Sequence, residues 1–169
     1  MTMKEPFEVS VKQHGATVLR VCRAVLGIGP DADDAWSETF IAALRAWPDL
    51  EERTNVEAWL VKVAHRKAID VTRARARRAV PVADVPDEPA SGELLSDAGD
   101  LWQAVSRLPQ RQRLAVAYHY LGGLSHVQTA ELIGSNPAAV RRAAADGIES
   151  LRRRYLADAT VSDDGGVHL

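Results

Sequence analysis

The sequence predicts an all-α protein of two small helical domains joined by an acidic, flexible linker. Three observations carry this. The 169 residues are 46% apolar but only 5% aromatic, and Ala, Leu and Val dominate the apolar set, a balance that suits helices better than sheets. Apolar residues recur at helical spacing between clear start and stop signals. The stretch "PVADVPDEPASGELLSDAGD", residues 81–100, holds three Pro, two Gly and six acids with no Lys or Arg, and it keeps no sustained helical period beyond one short turn around Glu93 to Leu95. It divides the chain into domains at 7–80 and 101–157. The tail, 158–169, is polar and Gly-rich and is expected to be disordered.

The first helix runs from Phe7 to Leu26, with Val11, Val18, Leu19, Cys22, Val25 and Leu26 at helical spacing, and "GIGPD" ends it. Asp31 then stands as an N-cap, with Asp33 and Asp34 favouring the helix dipole. The second helix extends to about Trp47, with Ala35, Thr39, Ala42, Ala43 and Ala46 as its core stripe and Trp36, Phe40 and Leu44 on a neighbouring face. "DADD" lacks the further ligands that a divalent-metal site needs, so capping is the better reading. Pro48 closes this helix. In "TNVE" Thr54 and Glu57 form a capping box, which starts a third helix near Asn55 with a core seam of Leu60, Ala64 and Val71. In the second half a helix opens at Pro109 and runs to Tyr120, and "LGG" breaks it. Ser125 and Gln128 make the next capping box, Gly134 and Ser135 the turn, and Asn136 caps a helix with Pro137 at its first position. Two helices about a tight Gly-containing turn, with Ala130 small at the crossing and Arg141 and Arg142 early in the second, read as a helix-turn-helix. An ordinary helical hairpin would share the loop but has no need of the arginines.

Charge is distributed in blocks. The net charge is −2, yet seven of the 21 Lys and Arg lie between Trp59 and Val80. Residues 31–58 carry eight acids against two Arg, 59–80 seven cations against Asp70, and 135–157 five Arg against Asp146 and Glu149. Local field, not global charge, steers a polyanion. Lys62, Arg66, Arg73 and Arg77 return to nearly the same angle at about 100° per residue. A solvated helix face mixes signs, and this stripe has only Asp70 nearby, so nucleic acid is the favoured partner.

The order of these segments resembles the bacterial sigma-70 family of RNA polymerase sigma factors, in the small extracytoplasmic-function (ECF) type that keeps regions 2 and 4. "DADDAWSETFIAALRAW" is similar to the region 2.2 helix, which grips the largest polymerase subunit. "WLVKVAHRKAIDVTRARARR" is similar to regions 2.3 to 2.4, which meet the −10 element. "LPQRQRLAVAYHYLGGLSHVQTAELIGSNPAAVRRAAADGIESLR" is similar to region 4, whose recognition helix reads the −35 element. The resemblance implies a non-enzymatic protein that binds core RNA polymerase and promoter DNA. It implies polymerase contacts at Asp34, Trp36, Glu38, Thr39 and Phe40. Phosphate contacts fall to Lys62, Arg66, Lys67 and Arg73, and the capture of an extruded −10 base to Thr54 and Asn55. Trp59 is either a base-stacking residue or a core residue. Ser125, Asn136, Ala138, Arg141 and Arg142 fall on the −35 side. Family members are often held by an anti-sigma factor, which makes one a further candidate partner.

Two departures weaken the −35 side. The family's recognition helix carries basic residues about where Ala143, Asp146 and Gly147 stand. Gly147 costs roughly 1 kcal/mol relative to Ala in a helix, and Asp146 repels phosphate. The expectation is a weak −35 contact, or one that depends on Asn136, Arg141 and Arg142.

Other classes fit less well. His14, His65, His119, His126 and His168 show no paired metal spacing, and no nucleophile motif or Gly-rich phosphate loop occurs, so neither catalysis nor a metal or cofactor is expected. The lone Cys22 sits in "VLRVCRAVL" as a core residue, which fits a reducing compartment. No apolar run approaches the ~18 residues that span a bilayer, and the N-terminus lacks a signal-peptide core, so a cytoplasmic location is expected. The remaining alternative is a sigma-like DNA-binding regulator or interaction protein that does not support initiation.

Overall fold

The computed structural model describes residues 4–78 and 97–163, with side chains described for 4–78 and 100–157. Every regular element among them is helical: α1 (Phe7–Leu26), α2 (Pro30–Ala46), a 3-10 turn (Trp47–Asp49), α3 (Val56–Arg78), α4 (Asp97–Ser106), α5 (Gln110–Ala115), which runs on through a π-helical segment (Val116–Leu121), α6 (His126–Ile133) and α7 (Pro137–Asp163). The expected turn at Glu93 to Leu95, most of the linker and the last six residues lie outside the described residues. Two sequence boundaries move. Helix α4 begins inside the stretch read as linker, and α7 continues to Asp163, into the stretch read as disordered tail.

Two helix starts also differ from the sequence reading, α2 by two residues and α3 by one. Helix α2 begins at Pro30, after Gly29 at φ 154°, a left-handed conformation that only glycine adopts freely. Asp31 is therefore inside the first turn, and its carboxylate pairs with Arg75. At α3 the cap is Asn55, not Thr54: its Oδ1 accepts the Ala58 N–H at 3.1 Å. The Thr54 N–H is taken by the Glu51 carbonyl at 3.1 Å in the preceding turn. Glu57, released from any capping box, lies 3.0 Å from His14 Nδ1 on α1.

Helices α1 to α3 close around Val18, Cys22, Ala32, Ala35, Phe40, Ala43, Leu60 and Ala64. The α2 stripe differs from the expected one. Phe40 turns into the core, Ala42 is half-buried, and Ala46 and Leu44 are exposed. A ring at position 40 fills the space against Phe7, 6.4 Å away, and Trp36, 4.6 Å away, which alanines would leave empty. In the second domain Ala115, Ala130, Val140 and Ala144 form the helix-turn-helix core. Gly134 makes the turn at φ 69° and donates its N–H to the Ala130 carbonyl.

The two domains are not independent bodies. Val21, Ala58 and Val61 of the first share a buried cluster with Tyr118 and Leu124 of the second. Ala24 packs with Val105 and Ala117. The linker's charge and its Pro and Gly predict flexibility between the domains, but they carry no information on the apolar residues that each domain leaves for the other.

Candidate nucleic-acid and protein interfaces

The basic stripe lies along the outer side of α3. Arg66, Arg73 and Arg77 are exposed, and Lys62 and Lys67 are half-buried. Arg66, Lys67 and Arg73 line one open groove of about 540 Å³ together with Trp59, Val63, Ile69, Asp70 and the α2 residues Ala42 and Ala46. Its floor is apolar and its rim cationic, a combination that accepts stacked bases and their phosphates. Trp59 is half-buried and packs against the first core with part of its ring in this groove. Arg75, which points towards α2, is engaged by Asp31.

The loop between α2 and α3 is held from the N-terminus. The Lys4 ammonium donates to the carbonyls of Trp47 and Leu50 and sits 4.6 Å above the Trp47 ring. Beside it is a recess of about 210 Å³ lined by Lys4, Glu5, Ser10, Trp47, Leu50, Glu51, Glu52 and Val56. Thr54 and Asn55 stand at the end of this loop. Asn55 is exposed with its Oδ1 committed to the α3 cap, so its amide –NH₂ is the part turned to solvent.

On α2 the residues read as a protein-docking face separate into two groups. Asp34 and Glu38 are exposed. Thr39 is fully buried, with its hydroxyl donating to the Ala35 carbonyl at 2.6 Å. Phe40 is also buried, and Trp36 is half-buried with its indole N–H on the Gly15 carbonyl at 2.9 Å. Thr39 and Phe40 are therefore core residues, not surface contacts, because the helix turns that side to α1 and α3. The face that carries Asp34 and Glu38 continues with Ile41, and Leu44 flanks it. Both apolar residues are exposed. Their helical offset from Asp34 is readable in the sequence, but the small residues of α2 fit more than one core stripe.

In the second domain Ser125 closes its capping box, its hydroxyl accepting from Gln128 at 3.0 Å while its N–H donates to Gln128 Oε1 at 2.9 Å. Asn136 caps α7 through Oδ1 on the Ala139 N–H at 2.9 Å. Ala138, Arg141, Arg142, Ala145 and Asp146 are exposed on one side of α7, while Ala143 is half-buried and Ala144 and Gly147 are buried. A Cβ at Gly147 would lie 2.7 Å from Val116 Cγ2. Position 147 thus faces α5, and a basic residue there would have pointed into the protein. Ala143 and Asp146 stand as departures at a shallow groove that they line with Arg111 and Arg142.

Residues 10–78 match the family described as Sigma-70 region 2, and residues 98–151 match Sigma-70, region 4. The ECF RNA polymerase sigma factor SigE of Mycolicibacterium smegmatis is 31% identical over 156 residues, covering 87% of this chain and 60% of that protein. SigD of Mycobacterium tuberculosis, another ECF RNA polymerase sigma factor, is 31% identical over 153 residues, covering 83% and 72%. BldN of Streptomyces coelicolor is 31% identical, and the chain spans 59% of its length. Two solved structures share the fold. The sigma factor RpoE in complex with the anti-sigma factor NepR from Bartonella quintana superposes with a TM-score of 0.68 at 20% identity, over 87% of this chain and 94% of that one. CnrH in complex with the cytosolic domain of CnrY gives 0.61 at 22%, over 90% and 88%. The chain belongs to the sigma-70 family of RNA polymerase sigma factors, in its ECF branch. These are not enzymes. No helix among the described residues is long and apolar enough to cross a membrane.

Proposed function

We propose that the chain binds core RNA polymerase in the cytoplasm and directs promoter recognition and DNA opening at the start of transcription. The observation that carries this is the groove on α3, whose lining Trp59 shares with Arg66, Lys67 and Arg73, beside a loop whose recess is lined by Trp47, Leu50 and Val56 together with Lys4, Glu5, Ser10, Glu51 and Glu52. Lys62, Arg66, Lys67 and Arg73 hold phosphates of the −10 strand, so that opening is stabilised without reading sequence. A base extruded from the duplex is captured at the end of this loop, where Thr54 and the Asn55 –NH₂ recognise its edge. The exposed face of α7, led by Ala138, Arg141 and Arg142, reaches the −35 element, with Asn136 and Ser125 fixing the ends of the helices that present it. Asp34 and Glu38, with Ile41 and Leu44, dock on polymerase. An anti-sigma factor is a further proposed partner, as one structural neighbour is a sigma factor in complex with an anti-sigma factor.

The test is a pull-down of purified core polymerase by the purified chain, followed by opening of a promoter fragment in the complex. Binding with opening is the expected result. Binding to DNA without any affinity for polymerase would leave a sigma-like regulator that does not support initiation.

A further inference from the structure

The loop that presents Thr54 and Asn55 has little of its own to hold it. None of residues 49–55 is buried. The Leu50 N–H reaches the Trp47 carbonyl at 3.2 Å and the Thr54 N–H the Glu51 carbonyl at 3.1 Å, both within the loop itself. So exposed a segment has few contacts to limit its motion. Side chains that discriminate one base edge from another must nevertheless be held to within about 0.5 Å.

The restraint comes from Lys4, which precedes α1 and is 43 residues from Trp47 in sequence. Pro6 stands at the N-cap of α1 with ψ 144°, and a proline disfavours helical backbone in the residue before it. The chain at Glu5 therefore leaves the helix instead of adding a turn to it. Phe7 packs edge-on against Trp47 at 5.4 Å and fixes the indole, whose face the Lys4 ammonium meets at 4.6 Å. The same ammonium donates to the Trp47 carbonyl and, at 2.7 Å, to the Leu50 carbonyl. Charge-assisted bonds of this kind are roughly twice as strong as neutral ones. Glu5, Glu51 and Glu52 line the recess beside Lys4, and their carboxylates favour a cation there while repelling a strand phosphate. We propose that Lys4 is a positioning residue for −10 recognition, which pins the carbonyls of Trp47 and Leu50 and so fixes the loop from which Thr54 and Asn55 meet the extruded base. The inference rests on the role given above to Thr54 and Asn55. It separates Lys4 from Lys62, Arg66, Lys67 and Arg73: those supply affinity for the strand, whereas Lys4 supplies selectivity without touching DNA.

Lys4→Met keeps an apolar stem beside the Trp47 ring and removes the charge and its donors, whereas Lys4→Arg keeps charge, donors and stacking. Each full-length variant is bound with core polymerase to promoter fragments already unpaired at the −10 element, one base varied at a time. The readout is the affinity ratio between the preferred and the next base, typically roughly 5- to 150-fold at a position that is read. Lys4→Met should cut this ratio by about threefold or more with the log–log salt slope unchanged, and Lys4→Arg should restore it. In the free chain, amide exchange at Leu50 and Thr54 should quicken roughly tenfold in Lys4→Met, as expected when hydrogen bonds to a charged group are lost. Protection of Leu60 and Ala64 within α3 should stay as it is. An unchanged ratio or unchanged exchange in Lys4→Met would overturn the proposal, as would a ratio that Lys4→Arg fails to restore. An equal loss for every base with a lower salt slope would also overturn it, by making Lys4 a phosphate contact. If the wild-type complex shows no base preference, the −10 assignment itself fails, while the exchange rates still decide whether Lys4 holds the loop.

Discussion

Replacing Gly147 by alanine sets two known effects against each other. Helix propensity alone predicts a gain of about 1 kcal/mol for Gly→Ala in a helix interior. Gly147, however, is buried where α7 crosses the end of α5, and the new Cβ would meet Val116 Cγ2 at 2.7 Å and Gln112 at 3.5 Å. Val116 is 3% exposed and β-branched, so its methyl cannot swing aside without entering the preceding turn. Overpacking of this kind costs about 1–3 kcal/mol. The packing cost wins, with a net destabilisation of about 1 kcal/mol, or about 2–4 °C in midpoint for a chain of this size. Urea unfolding followed by circular dichroism measures it, and a −35 fragment titration should show weaker binding, because α7 is displaced from α5. A variant stabilised by about 1 kcal/mol would show that propensity governs this site and that the close helix crossing is not needed.

Other substitutions separate the proposed roles. Alanine at Lys62, Arg66, Lys67 or Arg73 should weaken opening on all promoters alike and lower the log–log salt slope by about 0.7 per lost single-strand contact. An unchanged slope with altered base preference would make the stripe a reader of sequence. Asn55→Asp should keep the α3 cap and lose the −10 base preference, whereas Asn55→Ala should lose both, with about 1 kcal/mol of stability. Equal base preference in wild type and Asn55→Asp would remove Asn55 from the recognition set. Charge reversal at Asp34 and Glu38 should reduce affinity for core polymerase with free DNA binding intact, and unchanged affinity would clear that face of a docking role. Burial pushes the Cys22 thiol up to about 12 from 9.0, so it stays protonated in the fold and ionises first in the unfolded chain. Its contribution to stability is fully present below pH 9 and is lost as pH rises from there towards 12. Alkylation of Cys22 at pH 8.5 should therefore proceed only as fast as the chain opens, and rapid labelling would contradict the packing.

Most of the helices were legible because their boundary chemistry is local. Ser125 with Gln128, Asn136 before Pro137 and the Gly134 turn each act within a few residues, and each is where the sequence placed it. The cap of α3 moved to Asn55 because the choice between two adjacent capping residues was made by the Glu51 turn and by His14, a residue on another helix. Thr39 and Phe40 were misplaced on the docking face for a similar reason. The small residues of α2 fit more than one stripe, and only the position of Phe7 selects the one that buries Phe40. The contact of the two domains was not legible at all. Val61, Tyr118 and Gly122 are ordinary members of two separate helical patterns, and nothing in either pattern names the other as its partner. Gly147 shows the converse: an apparent cost in sequence is a close approach in space.

Transcription reconstituted from purified core polymerase, a fragmented bacterial genome and this chain is the most direct trial of the assigned function. The 5′ ends of the transcripts are the readout. The account predicts discrete starts that appear only when the chain is added, share two upstream elements about 25 base pairs apart, and vanish with Arg66→Ala and Lys67→Ala combined, as expected when strand phosphates lose their cationic partners. Transcripts with scattered ends, the same with and without the chain, would contradict it.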